Sequence, residues 1–215
     1  MSVDWSSGGA GLRERKKRRT RQLLTDTATE MFLARGFDAV RVAEIAEACG
    51  VSEKTVYNYF PTKESLVVDH PDAAIAALRA GLADRSVPAV DAVLAILDGE
   101  LRSVASWLAT QSDPVEAGER FRRFGVMVAG TPALRAYQRD MTERLVDVAA
   151  EALASRAGVA ADEPEPRIAA MALVGLWRVQ FAALARHGLS GIEHAVPADV
   201  RRAAAVVNGG LAAWM

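Results

Sequence analysis

The 215-residue chain has a single cysteine, Cys49. One thiol closes no intrachain disulfide, so no disulfide framework holds this fold, and a reducing compartment suits it. Histidine is nearly as scarce: His70, His187 and His194 stand apart, and Glu193-His194 is the nearest approach to a ligand pair. No paired histidines at metal spacing, no glycine-rich phosphate loop and no nucleophile elbow are found, which argues against an enzyme. No metal and no cofactor are expected. No stretch of useful length reads as a strand and no internal repeat is present, so the chain is expected to be all-α. The most apolar segment, Ile168 to Ala185, is broken by Arg178 and Gln180 and falls short of a bilayer span. No membrane segment and no signal peptide are expected, and the cytoplasm is the expected location.

Charge of one sign is also lacking. Lys and Arg number 26 against 27 Asp and Glu, a net charge of −1. The distribution is uneven, however: Arg13 to Arg21 holds seven cations and one acid. This run leads into an amphipathic helix whose apolar positions Leu24, Ala28, Met31 and Phe32 follow i, i+4, i+7, i+8. That helix should stop at Arg35-Gly36, a cationic last turn before a terminating glycine.

Residues Val42 to Phe60 read as two short helices joined by a tight turn. Ala46 permits the second helix to cross closely. Gly50 stands where the chain needs φ > 0, which glycine adopts without a Cβ clash. Ser52 is a good N-cap, and Val51 and Val56 have the spacing of a hydrophobic staple. Glu53, Lys54, Tyr57 and Asn58 point outward. This register is that of a helix-turn-helix, whose second helix enters the DNA major groove; the bland alternative is an αα-corner that binds nothing. Pro61-Thr62-Lys63-Glu64-Ser65-Leu66 should begin another helix, capped by Thr62.

With these flanks, residues from about Arg13 to Val68, a quarter of the chain, resemble the DNA-binding domain of the tetracycline-repressor (TetR-type) family of bacterial regulators. The resemblance rests on Ala28 to Phe37, Ile45-Ala46, Gly50-Val51-Ser52, Thr55-Val56-Tyr57 and Tyr59-Phe60-Pro61-Thr62-Lys63-Glu64. It implies a homodimer binding a double-stranded operator through paired heads, with Lys54, Thr55 and Tyr57 on bases. Tyr59 and Lys63 match phosphate contacts; Ser52, Asn58 and the basic-run Arg18 join that backbone set. Arg41 departs from the family, which usually has Thr there: a cap hydroxyl is lost and a cation gained, which can serve a phosphate instead. Lysine and arginine on phosphates carry affinity with little sequence information, whereas base choice needs groups at the groove floor. Lys54 suits guanine O6/N7, and the Thr55 methyl or Tyr57 ring suits a thymine methyl. Glu53 can accept from cytosine or simply favour a helix N-terminus.

The expected organisation is an arm or tail over 1–11, a head over 12–68 and a regulatory, dimerising body over 69–215, about nine helices in all. A helix over Asp72 to Ala83 joins head to body. Val90, Leu94, Leu97, Leu101, Val104 and Leu108 mark a long amphipathic helix. Further helices are expected over about 115–129, from Thr131-Pro132 to Leu153, over 166–187 and over 197–214. The last two would pair with a second subunit, as the resemblance implies. It also implies an unidentified small-molecule effector. Candidate pocket walls are Trp107, Phe121, Phe124, Met127, Tyr137, Trp177 and Phe181, although apolar and aromatic side chains at helical spacing are more often plain core. Arg178 and Gln180 can orient a ligand's polar end, or Arg178 can serve a bundle salt bridge. The chain therefore reads as a DNA-binding transcriptional regulator, most simply a repressor released by its effector. An effector-independent architectural DNA binder and a small helical enzyme are the alternatives.

Overall fold

The structure is a computed structural model that describes residues 11–68 and 72–211. The expectations for residues 1–10, His70 and Trp214 lie outside the described residues. Within them the chain forms nine α-helices and no strand. They are α1 Leu12–Arg35, α2 Val42–Ala48, α3 Glu53–Tyr59, α4 Asp72–Ala83, α5 Ala89–Ala109, α6 Pro114–Gly130, α7 Pro132–Ala157, α8 Pro164–His187 and α9 Ala195–Leu211. The basic run lies inside α1 and continues its helix.

Two compact units divide the chain. The first holds 11–68 together with Arg120–Gln138; the second holds 72–119 and 139–211. The expected head of 12–68 is thus joined by a later segment that no local pattern announced.

In the first unit, α1 buries Leu24, Ala28 and Phe32 against Ile45 and Ala46 of α2, Val56 of α3, and Phe60 and Leu66 beyond it. Burying a side chain the size of Leu or Phe contributes ~2 kcal/mol, so this small cluster can hold three short helices. The bound of α1 follows from Gly36, whose φ of 86° ends the helix while its N–H donates to the Phe32 carbonyl at 2.8 Å. Gly50 has φ 65°, as the turn between α2 and α3 requires. Cys49 is half-buried beside this core. Val128 and Leu134 from the later segment are buried in the same core, with Phe124 and Met127 packed against it. Arg120 reaches Glu30 of α1 at 3.0 Å.

Past Pro61 the structure forms one 3-10 turn, Glu64–Leu66, where a longer helix was expected. Thr62 still caps it: the Ser65 N–H donates to Thr62 Oγ1 and the Thr62 N–H to Ser65 Oγ, both at 3.2 Å. β-branched Val67 and Val68 follow, and Pro71 disfavours a helical residue before it, so little chain is available to extend the turn.

The second unit packs α4 (Leu78, Leu82), α5 (Val90, Val93, Leu97), α7 (Val146, Ala149, Leu153), α8 (Leu173, Val174, Trp177) and α9 (Val200, Ala204) into one core. α4 falls where expected, and a loop follows it. Arg156 of α7 clamps that loop by donating to the carbonyls of Asp84 and Val87 at 2.9 and 2.6 Å. α8 begins at Pro164, two residues before the expected Pro166, because a proline suits the first turn of a helix. α8 is long and apolar enough to cross a membrane by composition, yet half of its apolar stretch is buried within the protein.

Candidate nucleic-acid interface

α3 is short but well fastened at both ends. Ser52 Oγ accepts from the Thr55 N–H at 3.1 Å, the cap expected from sequence. Val56 faces the core, so the register turns Lys54, Tyr57 and Asn58 outward, at i, i+3 and i+4 on one face. Tyr57 is 45% exposed, a large ring presented to solvent. Thr55 stands apart from this group: it is half-buried, and its hydroxyl lies 2.8 Å from Ser52 Oγ.

At the far end Arg21 of α1 donates from Nη1 to the Tyr59 carbonyl at 2.8 Å, and its guanidinium lies 4.3 Å from the centroid of the Phe60 ring. Sequence reasoning missed this role, since the partner is 38 residues away and nothing local marks Arg21 among its cationic neighbours. Arg18 is partly exposed on the same helix, and Tyr59 is half-buried. Lys63 is half-buried too, with Nζ 4.3 Å from the Phe37 ring centroid and 5.7 Å from that of Phe32. A cation over an aromatic face gains about 0.5–1 kcal/mol at exposed sites, so Lys63 is held over these two rings.

Arg41 stands at the N-cap of α2. A guanidinium has no acceptor, so it cannot replace a threonine hydroxyl. Glu44 takes over that end: one carboxylate oxygen accepts the Arg41 N–H at 2.8 Å and the other accepts from Arg35 Nη2 at 2.8 Å. The Arg41 backbone hydrogen bond, then the Arg35 bond and charge, hold the Glu44 carboxyl at about 2, well below the ordinary 4.5. The Arg41 side chain itself remains 80% exposed. Glu44 was legible as the third residue of a capping box, but an arginine at the cap hid the motif.

The candidate pocket walls divide between the units. Phe121, Phe124, Met127 and Tyr137 belong to the first, where Phe124 and Met127 pack on the head's core. Trp107, Trp177 and Phe181 belong to the second, and Phe181 is 57% exposed. Trp177 and Gln180 converge on a residue the sequence reading did not single out. Trp177 Nε1 donates to Glu100 Oε1 at 2.9 Å, and Gln180 Nε2 donates to Glu100 Oε2 at 3.1 Å. Burial pushes the Glu100 carboxyl up to about 7, against the pull of those two hydrogen bonds. Arg178 is exposed on α8. Among the described residues no group of three His, Cys, Asp or Glu is placed to hold a metal.

Two family models match the chain. Residues 24–69 match the family model described as bacterial regulatory proteins, tetR family, and residues 94–212 match the MftR C-terminal domain. The chain is 33% identical to the HTH-type transcriptional regulator TcmR of Streptomyces glaucescens, over 72% of this chain and 68% of that protein. It is 27% identical to the mycofactocin biosynthesis transcriptional regulator MftR of Mycobacterium tuberculosis, over 75% and 78%. The SmeT–triclosan complex shares the fold at TM-score 0.53 and 18% identity, covering 89% of this chain and 91% of that one. NalD of Pseudomonas aeruginosa does so at 0.53 and 20%, covering 90% and 96%. At these identities the two structures speak for the fold alone. The relatives are transcriptional regulators, not enzymes.

Proposed function

This chain belongs to the tetR family of bacterial regulatory proteins, and from that premise we propose that it is a cytoplasmic, homodimeric repressor that leaves its operator when a small molecule binds its body. The observation that carries this reading is the exposed face of α3, where Lys54, Tyr57 and Asn58 stand together on a helix capped by Ser52 and anchored by Arg21. A lysine, a phenol and an amide supply donors, an acceptor and an apolar ring, the kinds of group that distinguish base edges in the major groove. Thr55, with its hydroxyl already engaged, contributes its methyl. Arg18, Arg41, Ser52, Tyr59 and Lys63 form the phosphate-facing set.

Dimerisation through α8 and α9 is supported by what those helices leave uncovered. Ile168, Met171 and Phe181 of α8 and Val206 of α9 are large apolar side chains on the outside of the two helices that also build the core. The small residues Gly175, Ala182, Ala198, Ala205 and Gly209 lie among them and permit close approach. In light scattering the protein should weigh as two chains. Phe181→Glu should yield a folded monomer that loses operator binding; a wild-type monomer would sink the dimer.

For release, α4 follows the head in sequence and is fixed in the body's core by Leu78 and Leu82. A ligand that moves α4 would carry the two heads off the ~34–36 Å spacing of successive major grooves. The deciding experiment is a gel shift, at stated salt, on the DNA flanking the protein's own gene with random DNA as competitor. A complex that survives the competitor supports the regulator; equal loss on both DNAs refutes it.

A further inference from the structure

The Glu100 cluster lies in the body, where α5 meets α8, and Glu100, Trp177 and Gln180 are not among the residues assigned above to DNA or to the dimer. Gln180 is 2% exposed, and its Oε1 has no hydrogen-bond partner, although its Nε2 is spent on Glu100. An orphaned acceptor this deep costs about 1–3 kcal/mol, and proteins keep such groups where something else completes them. Glu100 beside it is only partly buried, so its side chain is reachable from outside. It sits where α5 changes character. Before it, Val93 and Leu97 are sealed in the core; beyond Leu101, Val104, Trp107 and Leu108 are only half-buried. Those three positions follow Glu100 at i+4, i+7 and i+8, on its face of α5, and offer apolar surface there.

Among the described residues no cation pairs with Glu100. On its own helix Asp98 pairs with Arg201 of α9, and Arg102 is exposed. On α4 Arg79 pairs with Glu151; on α9 Arg202 pairs with Asp199; on α8 Arg178 is exposed. The two donors Glu100 does have, an indole and an amide, are neutral. A negative carboxylate under apolar cover with only neutral donors lacks the partner that buried charges ordinarily have.

We infer that Glu100 and Gln180 are the polar anchor of the effector site, and that the effector is an apolar or aromatic molecule carrying a protonated amine. The ammonium supplies what both acceptors lack: charge for Glu100 and a hydrogen-bond donor for Gln180 Oε1. Trp177 holds the carboxylate in place, and the half-buried side chains of α5 take the apolar body of the ligand. The inference deepens the effector-release reading and rests on it. The rise of the Glu100 carboxyl to about 7 fits as support, since a proton then occupies the cation's place in the empty protein near neutral pH.

Calorimetry on the full-length protein tests it with three probes of one shape: 2-naphthylmethylamine, 2-naphthalenemethanol and 2-naphthoate. The amine should bind about tenfold or more tightly than the alcohol, because a desolvated charge pair is lost with the alcohol. The naphthoate should be rejected. Glu100→Gln should bring the amine down to the alcohol's affinity and leave the alcohol unchanged. Gln180→Leu should weaken the amine in the same direction, so the result does not hang on one variant folding. Just below neutral pH, binding of the amine to wild type should release a proton, read as a heat that varies with the buffer's ionisation enthalpy. A merely structural Glu100 would not produce that release. Alcohol or naphthoate binding as tightly as the amine, unaffected by Glu100→Gln, would overturn the inference while leaving an effector domain standing. No binding of any probe, with no displacement of the DNA complex, would overturn both.

Discussion

Arg21 Nη1 donates to the backbone carbonyl of Tyr59 at 2.8 Å, and the same guanidinium covers the Phe60 ring. A side chain from the cationic run thus closes the C-terminal end of the helix that is to read DNA. Of the seven cations between Arg13 and Arg21, this one is committed to the protein.

Arg21→Ala should therefore act on structure before it acts on charge. Removing the hydrogen bond and the stacked cation should cost about 1–2 kcal/mol of stability, and operator affinity should fall with it. Arg21→Lys keeps the charge but loses the planar stack, and should recover little. Urea melts of both variants check this; full recovery by lysine would mean that only net charge matters.

Lys54→Ala and Lys63→Ala should separate by kind. Lys54 is exposed on the α3 face, and its loss should relax sequence preference at one position, at about 1–3 kcal/mol. Lys63, fixed over Phe37, should lose affinity for cognate and random DNA alike and flatten the salt slope by about one unit. It should also lose up to about 1 kcal/mol of stability from the ring contact. Titrations on both DNAs at several salt concentrations give the answer; equal effects of both variants on both DNAs would reject the division.

Glu44 makes the N-terminus of α2 acid-sensitive. Its folded carboxyl is held at about 2 against an ordinary 4.5. The stability it contributes is fully present above 4.5 and is lost as pH falls towards 2. Glu44→Gln should be less stable than wild type at neutral pH and should close that gap in acid. Thermal melts across this range test it; parallel curves for the two proteins would rule out the assignment.

Glu100 should work in the opposite direction. Its folded carboxyl lies at about 7, above the ordinary 4.5, so the folded state keeps a proton that the unfolded chain has lost. Stability present below 4.5 should decline as pH rises through 7, by an amount on the order of 3 kcal/mol. Glu100→Gln, which stays neutral, should remove this decline. Melts of both proteins over that range decide it; a wild-type curve as flat as the variant's would contradict the buried carboxyl.

What could be read from the chain follows distance along it. Gly50 needed a positive φ, Ser52 a cap to fill, and Lys54, Tyr57 and Asn58 an outward face; each is settled by residues within about one helical turn. α4 was legible to its bounds for the same reason. Where the reading slipped, the determinant was remote. Which core Phe124 and Met127 would join was not legible, because an aromatic or methionine at helical spacing carries no label for it. The helix expected after Thr62 shrank to a turn because the chain beyond it had no room.

By itself, then, the sequence determined an all-helical chain with a helix-turn-helix face, since periodicity, caps and glycine positions act locally. Tertiary structure alone decided that Arg21 would seal α3, that Lys63 would rest on Phe37, and that Glu100 would meet Trp177 and Gln180 from 77 and 80 residues away. These are meetings of side chains that no pattern along the chain relates. They exist only once whole helices have packed and brought distant positions within hydrogen-bonding reach.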